Sequence, residues 1–183
     1  MQSLRVIQDE IGAWALCNFG EQQPYRPFLG VGEELGELRE AQMLRNHEKA
    51  KDAIGDIAIY LMHYCVLRQW SFEEVWEGRA AAETFASDYL VVLGSLCHHQ
   101  LKSEQGIRGG QESHAYASKY VMGQLLSMLE EESPLHGGEF LAILQKTWDQ
   151  VKQRDWRKNP DNADKVVEEG SPGTLRPEDQ QDA

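Results

Sequence analysis

A chain of 183 residues that is 41% hydrophobic and 26% charged has the length of one compact domain and the composition of a globular protein, which excludes disordered, fibrous and membrane-spanning classes. Thirty acidic against eighteen basic side chains give a net charge of -12, which repels a phosphodiester backbone and sets duplex nucleic acid aside as a partner. Phosphate can still be recognised where a metal ion stands between the protein's carboxylates and the ligand. Cys17, Cys65 and Cys97 are widely spaced among apolar residues, the pattern of buried thiols in a reducing compartment. With no basic-then-apolar leader and no long apolar run, a cytoplasmic protein is expected.

Leu4 to Phe19 repeats apolar residues at steps of three and four (Leu4, Ile7, Ile11, Trp14), which predicts a helix ended by Gly20. Pro27 can open a second helix running to about Arg45, with Leu29, Val31, Leu35, Leu38 and Leu44 as its apolar positions. Asn46 and His47 make a short turn, and a third helix from about Glu48 to Gln69 folds back on the second as an antiparallel hairpin. Ser71 and Glu74 form a capping box for a fourth helix. Further helices are expected around 89–103 and 114–131, separated by the glycine-rich loop Gly106–Gly110. After a turn at 133–138, a last helix is expected over Glu139–Trp156. No segment has the period-two alternation of a half-buried strand, so the class is all-α, a helical bundle. One domain is expected over 1–158, followed by a flexible acidic tail over 159–183.

Val31–Leu38 can be laid on Tyr89–Leu96, and Lys51–Asp56 on Lys119–Gln124, so the hairpin pattern occurs twice. In the second copy Glu33, Glu34 and Glu37 become Val91, Val92 and Ser95, and Asp52 and Asp56 become Tyr120 and Gln124. A half with chemistry (1–77), a degenerate partner (84–132) and a closing helix (139–158) are expected.

Residues three and four apart share a helix face, so Glu34 and Glu37 project together, with Glu33 beside Glu37. Asp52 and Asp56 form a like pair on the facing helix, and the turn brings the two pairs together. Such a cluster repels itself unless cations are present, and an oxygen-only donor set suits Mg²⁺, or Mn²⁺. Gly36 and Gly55 interrupt the two helices beside these acids, which suggests a close backbone approach at the site.

The Glu33-Glu34-Leu-Gly-Glu37 block, the spacing to Asp56 and the Lys51–Leu61 segment resemble the MazG-like all-α nucleoside triphosphate pyrophosphohydrolases, a group that includes dCTP pyrophosphatases and dimeric dUTPases. The resemblance covers about 1–77 and 139–158. It implies hydrolysis of a (deoxy)nucleoside triphosphate to the monophosphate and pyrophosphate, with Mg²⁺ held by Glu34, Glu37 and Asp56. Where the family's second motif carries a glutamate this chain has Ala53; Asp52, one residue earlier and on the same helical face as Asp56, is the replacement ligand. Glu33 is the candidate to orient or deprotonate the attacking water, or to support a ligand. Tyr60, one turn after Asp56, is the candidate for the sugar, as at the equivalent family position. Trp14 and Asn18 are candidates for the base, with core packing the alternative for Trp14. Lys49, Lys51, Arg154, Arg157 and Lys158 are the cations available for the leaving pyrophosphate. The resemblance also leaves a homodimer open. The rival readings are a catalytically weak nucleotide-binding or regulatory module and a structural helical bundle.

Overall fold

Every regular element among the described residues, 2–79 and 88–161 of this computed structural model, is helical. Helix α1 (Leu4–Phe19) starts where the Ser3 hydroxyl accepts from the Val6 amide and stops at Gly20, whose φ of 68° disfavours any side chain. Helix α2 (Arg26–Met43) carries Pro27 in its first turn, where a missing amide costs nothing. The chain reverses through Leu44, Arg45 and Asn46. Asn46 donates its amide to the Ala41 carbonyl at 2.8 Å and caps the Lys49 amide at 3.2 Å, which starts α3 (His47–Arg68). The expected α2–α3 hairpin is present, and these two helices share the longest seam in the fold.

Ser71 caps the Glu74 amide at 3.2 Å to begin α4 (Phe72–Gly78). Helices α5 (Tyr89–Gln105) and α6 (Gln111–Glu132) form a second hairpin around the glycine-rich loop. A 3₁₀ turn (Ser133–His136) leads into α7 (Phe140–Val151). No helix among the described residues is long and apolar enough to cross a membrane.

Helix α3 is the axis of the bundle. It packs on α2, α1 and α7, and more lightly on α4 and α6. Ala53, Ile54, Gly55, Ile57, Ala58, Ile59 and Leu61 to Cys65 are all buried, as befits a helix enclosed on most sides. The second hairpin lays α5 against α2 and α6 against α4. Among the polar bonds between the hairpins is a buried one, Tyr64 Oη donating to Gln100 Oε1 at 2.8 Å. At the other side Trp148, 1% exposed, donates its indole N–H to Glu10 Oε2 at 2.7 Å and anchors α7 to α1.

Several expectations need correction. The last helix ends at Val151, five residues short of Trp156, because the chain beyond it is clasped by α1: Trp14 Nε1 donates to the Arg154 carbonyl at 3.0 Å, and the Trp156 amide donates to Asn18 Oδ1 at 2.8 Å. Cys65 is buried, whereas Cys17 and Cys97 are exposed. Leu29 and Leu44, counted as apolar core positions, are exposed. Gly55 does mark a close approach, but to α7: a Cβ there would lie 2.6 Å from Thr147 Cβ. A Cβ on Gly36 would meet nothing within 4 Å, so no approach explains that glycine. The expected acidic tail lies, from residue 162 onward, outside the described residues, as do 84–87 of the expected second repeat.

The two glycines should therefore respond oppositely to alanine in urea unfolding. Gly55→Ala overpacks the α3–α7 seam and is expected to lose roughly 1–3 kcal/mol. Gly36→Ala, on an open helix face, is expected to gain up to about 1 kcal/mol. Equal unfolding midpoints for the two variants would contradict the tight α3–α7 contact.

Candidate active site

Helix α3 leaves one strip uncovered, and Asp52, Asp56 and Tyr60 follow it at four-residue steps. Across the hairpin α2 turns Val31, Leu35 and Leu38 into the core and sets Glu33, Glu34 and Glu37 along the opposite rim. Glu33, Glu37 and Asp52 are exposed, while Glu34, Asp56 and Tyr60 are half-buried. Ala53 is 2% exposed, a methyl group in the core with Asp52 as its solvent-facing neighbour.

Half-burial and mutual repulsion act together on the two inner acids. Burial, then the charge of Asp52, pushes Asp56 up to about 7, against an opposing pull from Arg154. Burial, then the charges of Asp56, Glu37, Glu33 and Asp52, pushes Glu34 up to about 8. The Arg154 guanidinium opposes the rise at Asp56, while the Asp56 charge adds to the rise at Glu34. Burial followed by Glu34, Asp56 and Glu33 raises Tyr60 to about 12, so its phenol stays a hydrogen-bond donor at neutral pH.

Glu33, Glu34 and Asp56 lie on the wall of a cavity of about 460 Å³. Its apolar side is built by Ile11, Trp14, Ala15 and Phe19 of α1, Leu29 of α2, Ile59 of α3 and Trp156. Gln22, Arg26, His63 and Arg154 supply polar groups. Gly30 makes room for the Tyr60 ring, which occupies the space a side chain would take: a Cβ there would sit 2.6 Å from Tyr60 Cε2. Trp14 stands edge-on to Phe19 and Trp148, with centroids 5.4 and 5.9 Å away, so it is at once core and cavity wall.

Several residues expected at the site lie elsewhere. Asn18 does not line the cavity; its amide oxygen accepts from Trp156 and its amide nitrogen donates to the Trp14 carbonyl, so it serves the clasp. Lys51 lies outside the cavity wall, bonded to Glu48 at 2.5 Å, and lines the groove towards α7 beside Asp52. Arg157 and Lys158 are exposed on a turn whose amides donate to Asp155 Oδ1, and Lys158 Nζ is 3.3 Å from Asp155 Oδ2. Asp52 lines a second groove between α3 and α7, and Glu37 lies outside the cavity wall, although both charges reach Glu34.

Arg26, Gln22 and His63 are cavity residues that the sequence reading does not single out, and Trp156, expected as the end of the last helix, joins them on the wall. A cation in the first turn of α2 opposes the helix dipole, and that was the available signal for Arg26. His63 lies one turn beyond Tyr60 on α3; burial lowers its pKa and keeps the ring neutral.

The donor set of Glu34, Glu37, Asp52 and Asp56 is all oxygen and all anionic, the chemistry a hard divalent cation takes. Among the described residues no three His, Cys, Asp or Glu side chains are already gathered around one point. Holding an ion with all four would require their carboxylates to move towards one point.

No family model matches this chain, and no curated protein or solved structure matches it.

The raised acids make folding depend on pH. Between the ordinary carboxylate range and about 7 to 8, folded Asp56 and Glu34 keep protons that the unfolded chain has released. Stability of chelator-treated protein is therefore expected to be highest near about pH 5 and to fall as pH rises towards about 8. Glu34→Gln should flatten that slope in urea titrations at several pH values. A wild-type slope of the opposite sign over this window would refute the half-buried pair.

Proposed function

We propose that this chain is a Mg²⁺-dependent nucleotide pyrophosphohydrolase that cleaves a (deoxy)nucleoside triphosphate to the monophosphate and pyrophosphate. One observation carries the reading: Glu34 and Asp56, half-buried on opposite helices of one hairpin, share the wall of a cavity whose other side is aromatic. The cavity volume of about 460 Å³ suits a small ligand.

In this reading the flat faces of Trp14, Phe19 and Tyr60 seat the base and sugar, and the Tyr60 phenol donates a hydrogen bond to the sugar. Arg26 and Arg154 oppose the charge of the phosphates at the cavity wall. Glu34, Glu37, Asp52 and Asp56 would hold Mg²⁺, or Mn²⁺, which neutralises the triphosphate and lowers the pKa of a bound water. Glu33, exposed at the mouth, orients the water that attacks the α-phosphorus and takes up its proton. The bond from that phosphorus to the bridging oxygen breaks, and pyrophosphate leaves. Lys51, Arg157 and Lys158 take no part.

A second reading, nucleotide binding with little turnover, is favoured by one residue. Ala53 puts a buried methyl group where the resembled family has a carboxylate ligand.

Incubation with Mg²⁺ and a panel of nucleoside triphosphates distinguishes these readings. Pyrophosphate and monophosphate should appear together, and Glu37→Ala and Asp56→Ala should each lower the rate by more than the roughly 10–100-fold typical of losing a group that only supports a metal ligand. Nucleotide binding without product would favour the second reading. Orthophosphate as first product would refute attack at the α-phosphorus, and turnover that survives both substitutions would remove these residues from the site.

A further inference from the structure

At the end of the bundle where α2 reverses into α3, two histidines from different turns meet. His47 opens α3, and His136 closes the 3₁₀ turn before α7. Their Nδ1 atoms are 3.1 Å apart, and the rings are tilted by 48°. His136 Nε2 lies 2.7 Å from Glu132 Oε1, which also accepts from Gln42 Nε2 at 2.9 Å. An ionised carboxylate only accepts, so His136 carries its proton on Nε2 and presents a lone pair on Nδ1 towards His47. His47 is exposed, and with its own proton on Nε2 it presents a second lone pair to the same point.

We propose that His47 and His136 form an open two-nitrogen site for a borderline divalent cation such as Zn²⁺, with Glu132 holding the His136 ring. For metal–nitrogen bonds of about 2.0–2.1 Å, a nitrogen separation of 3.1 Å corresponds to an angle at the metal of roughly 95–102°, within the range of a distorted tetrahedral site completed by water. A carboxylate behind the ligating imidazole fixes its tautomer and raises its basicity, the usual support of a histidine–metal bond. Imidazole nitrogen selects Zn²⁺, Ni²⁺ or Cu²⁺ over Mg²⁺, so this site differs in kind from the carboxylate strip. Because the two ligands come from the α2–α3 reversal and the α6–α7 connection, a bound ion would join two turns that otherwise meet through the His47–His136 contact and the Gln42–Glu132 bond.

Calorimetric titration of the full chain with zinc chloride, in buffer already saturating in Mg²⁺, tests this. Zn²⁺ should bind the wild type, and the melting temperature of the protein should rise with Zn²⁺. His47→Ala, which removes an exposed side chain, and His136→Ala should each weaken binding by more than tenfold and abolish the thermal shift. Glu132→Gln should weaken binding roughly tenfold with both ring nitrogens retained. Glu37→Ala and Asp56→Ala should bind Zn²⁺ as the wild type does, whatever they do to nucleotide turnover. Unchanged Zn²⁺ affinity in His47→Ala would place the ion elsewhere, and no Zn²⁺ uptake by the wild type would leave the pair as a hydrogen bond only; either overturns the proposal.

Discussion

Enclosing α3 decides where everything else in this molecule can sit. A helix with Ile54, Ile57, Ala58, Leu61, Met62 and Cys65 pointing in several directions needs neighbours on most of its circumference, and α1, α2 and α7 provide them. What remains uncovered at mid-helix is one strip, and the acidic groups of α3 there lie along it. Asp52, Asp56 and Tyr60 occupy that strip. The seam with α2 then fixes which groups face them, and Leu35 and Leu38 turned inwards leave Glu34 turned across. The close approach at Gly55 draws α7 onto α3, and the chain leaving α7 carries Arg154 to the cavity wall.

The same enclosure sets the electrostatics. Carboxylates on a free surface repel weakly because water screens them, whereas Glu34 and Asp56 have lost part of that water and share a low-dielectric edge. Their protons are retained well above the ordinary carboxylate range, and a nearby cation would release them. Folding therefore holds the hairpin in an arrangement that is costly alone and favourable with a counter-charge, towards which Arg154 and Arg26 on the cavity wall contribute. Perturbed acids beside a cavity are a recurrent sign of function.

The parts legible in the sequence were those fixed by near neighbours. Gly20, Pro27, the reversal before α3, Ser71 and the Gly106–Gly110 loop each act within a few residues, and the helices begin and end close to them. The pairing of α2 with α3 follows from so short a turn, and with it the two sets of acids. Long-range effects were not legible. The Asn18 side chain is spent on Trp156, and Trp14 on the Arg154 carbonyl; nothing around residue 151 foretells that α7 must stop there to meet α1. Lys51 pairs with Glu48 on its own helix and Lys158 with Asp155, so of the cations counted near the motifs Arg154 is the one at the cavity wall. In the second hairpin Leu96 is fully buried, as Leu38 is in the first, and Gly94 faces open space, as Gly36 does, whereas Val92 is buried where Glu34 is half-buried. At the place of exposed Glu33 the second hairpin carries Val91, 61% exposed.

In the proposed function, Glu34 and Asp56 form a cation-demanding pair at a nucleotide cavity. The most direct measurement of this is calorimetric binding of an α,β-imido nucleoside triphosphate, which cannot be cleaved at the α-phosphorus, with and without Mg²⁺. The expected result is binding that needs Mg²⁺ in the wild type and is lost in Asp56→Ala. Binding of equal strength with and without Mg²⁺, or unchanged in Asp56→Ala, would contradict it.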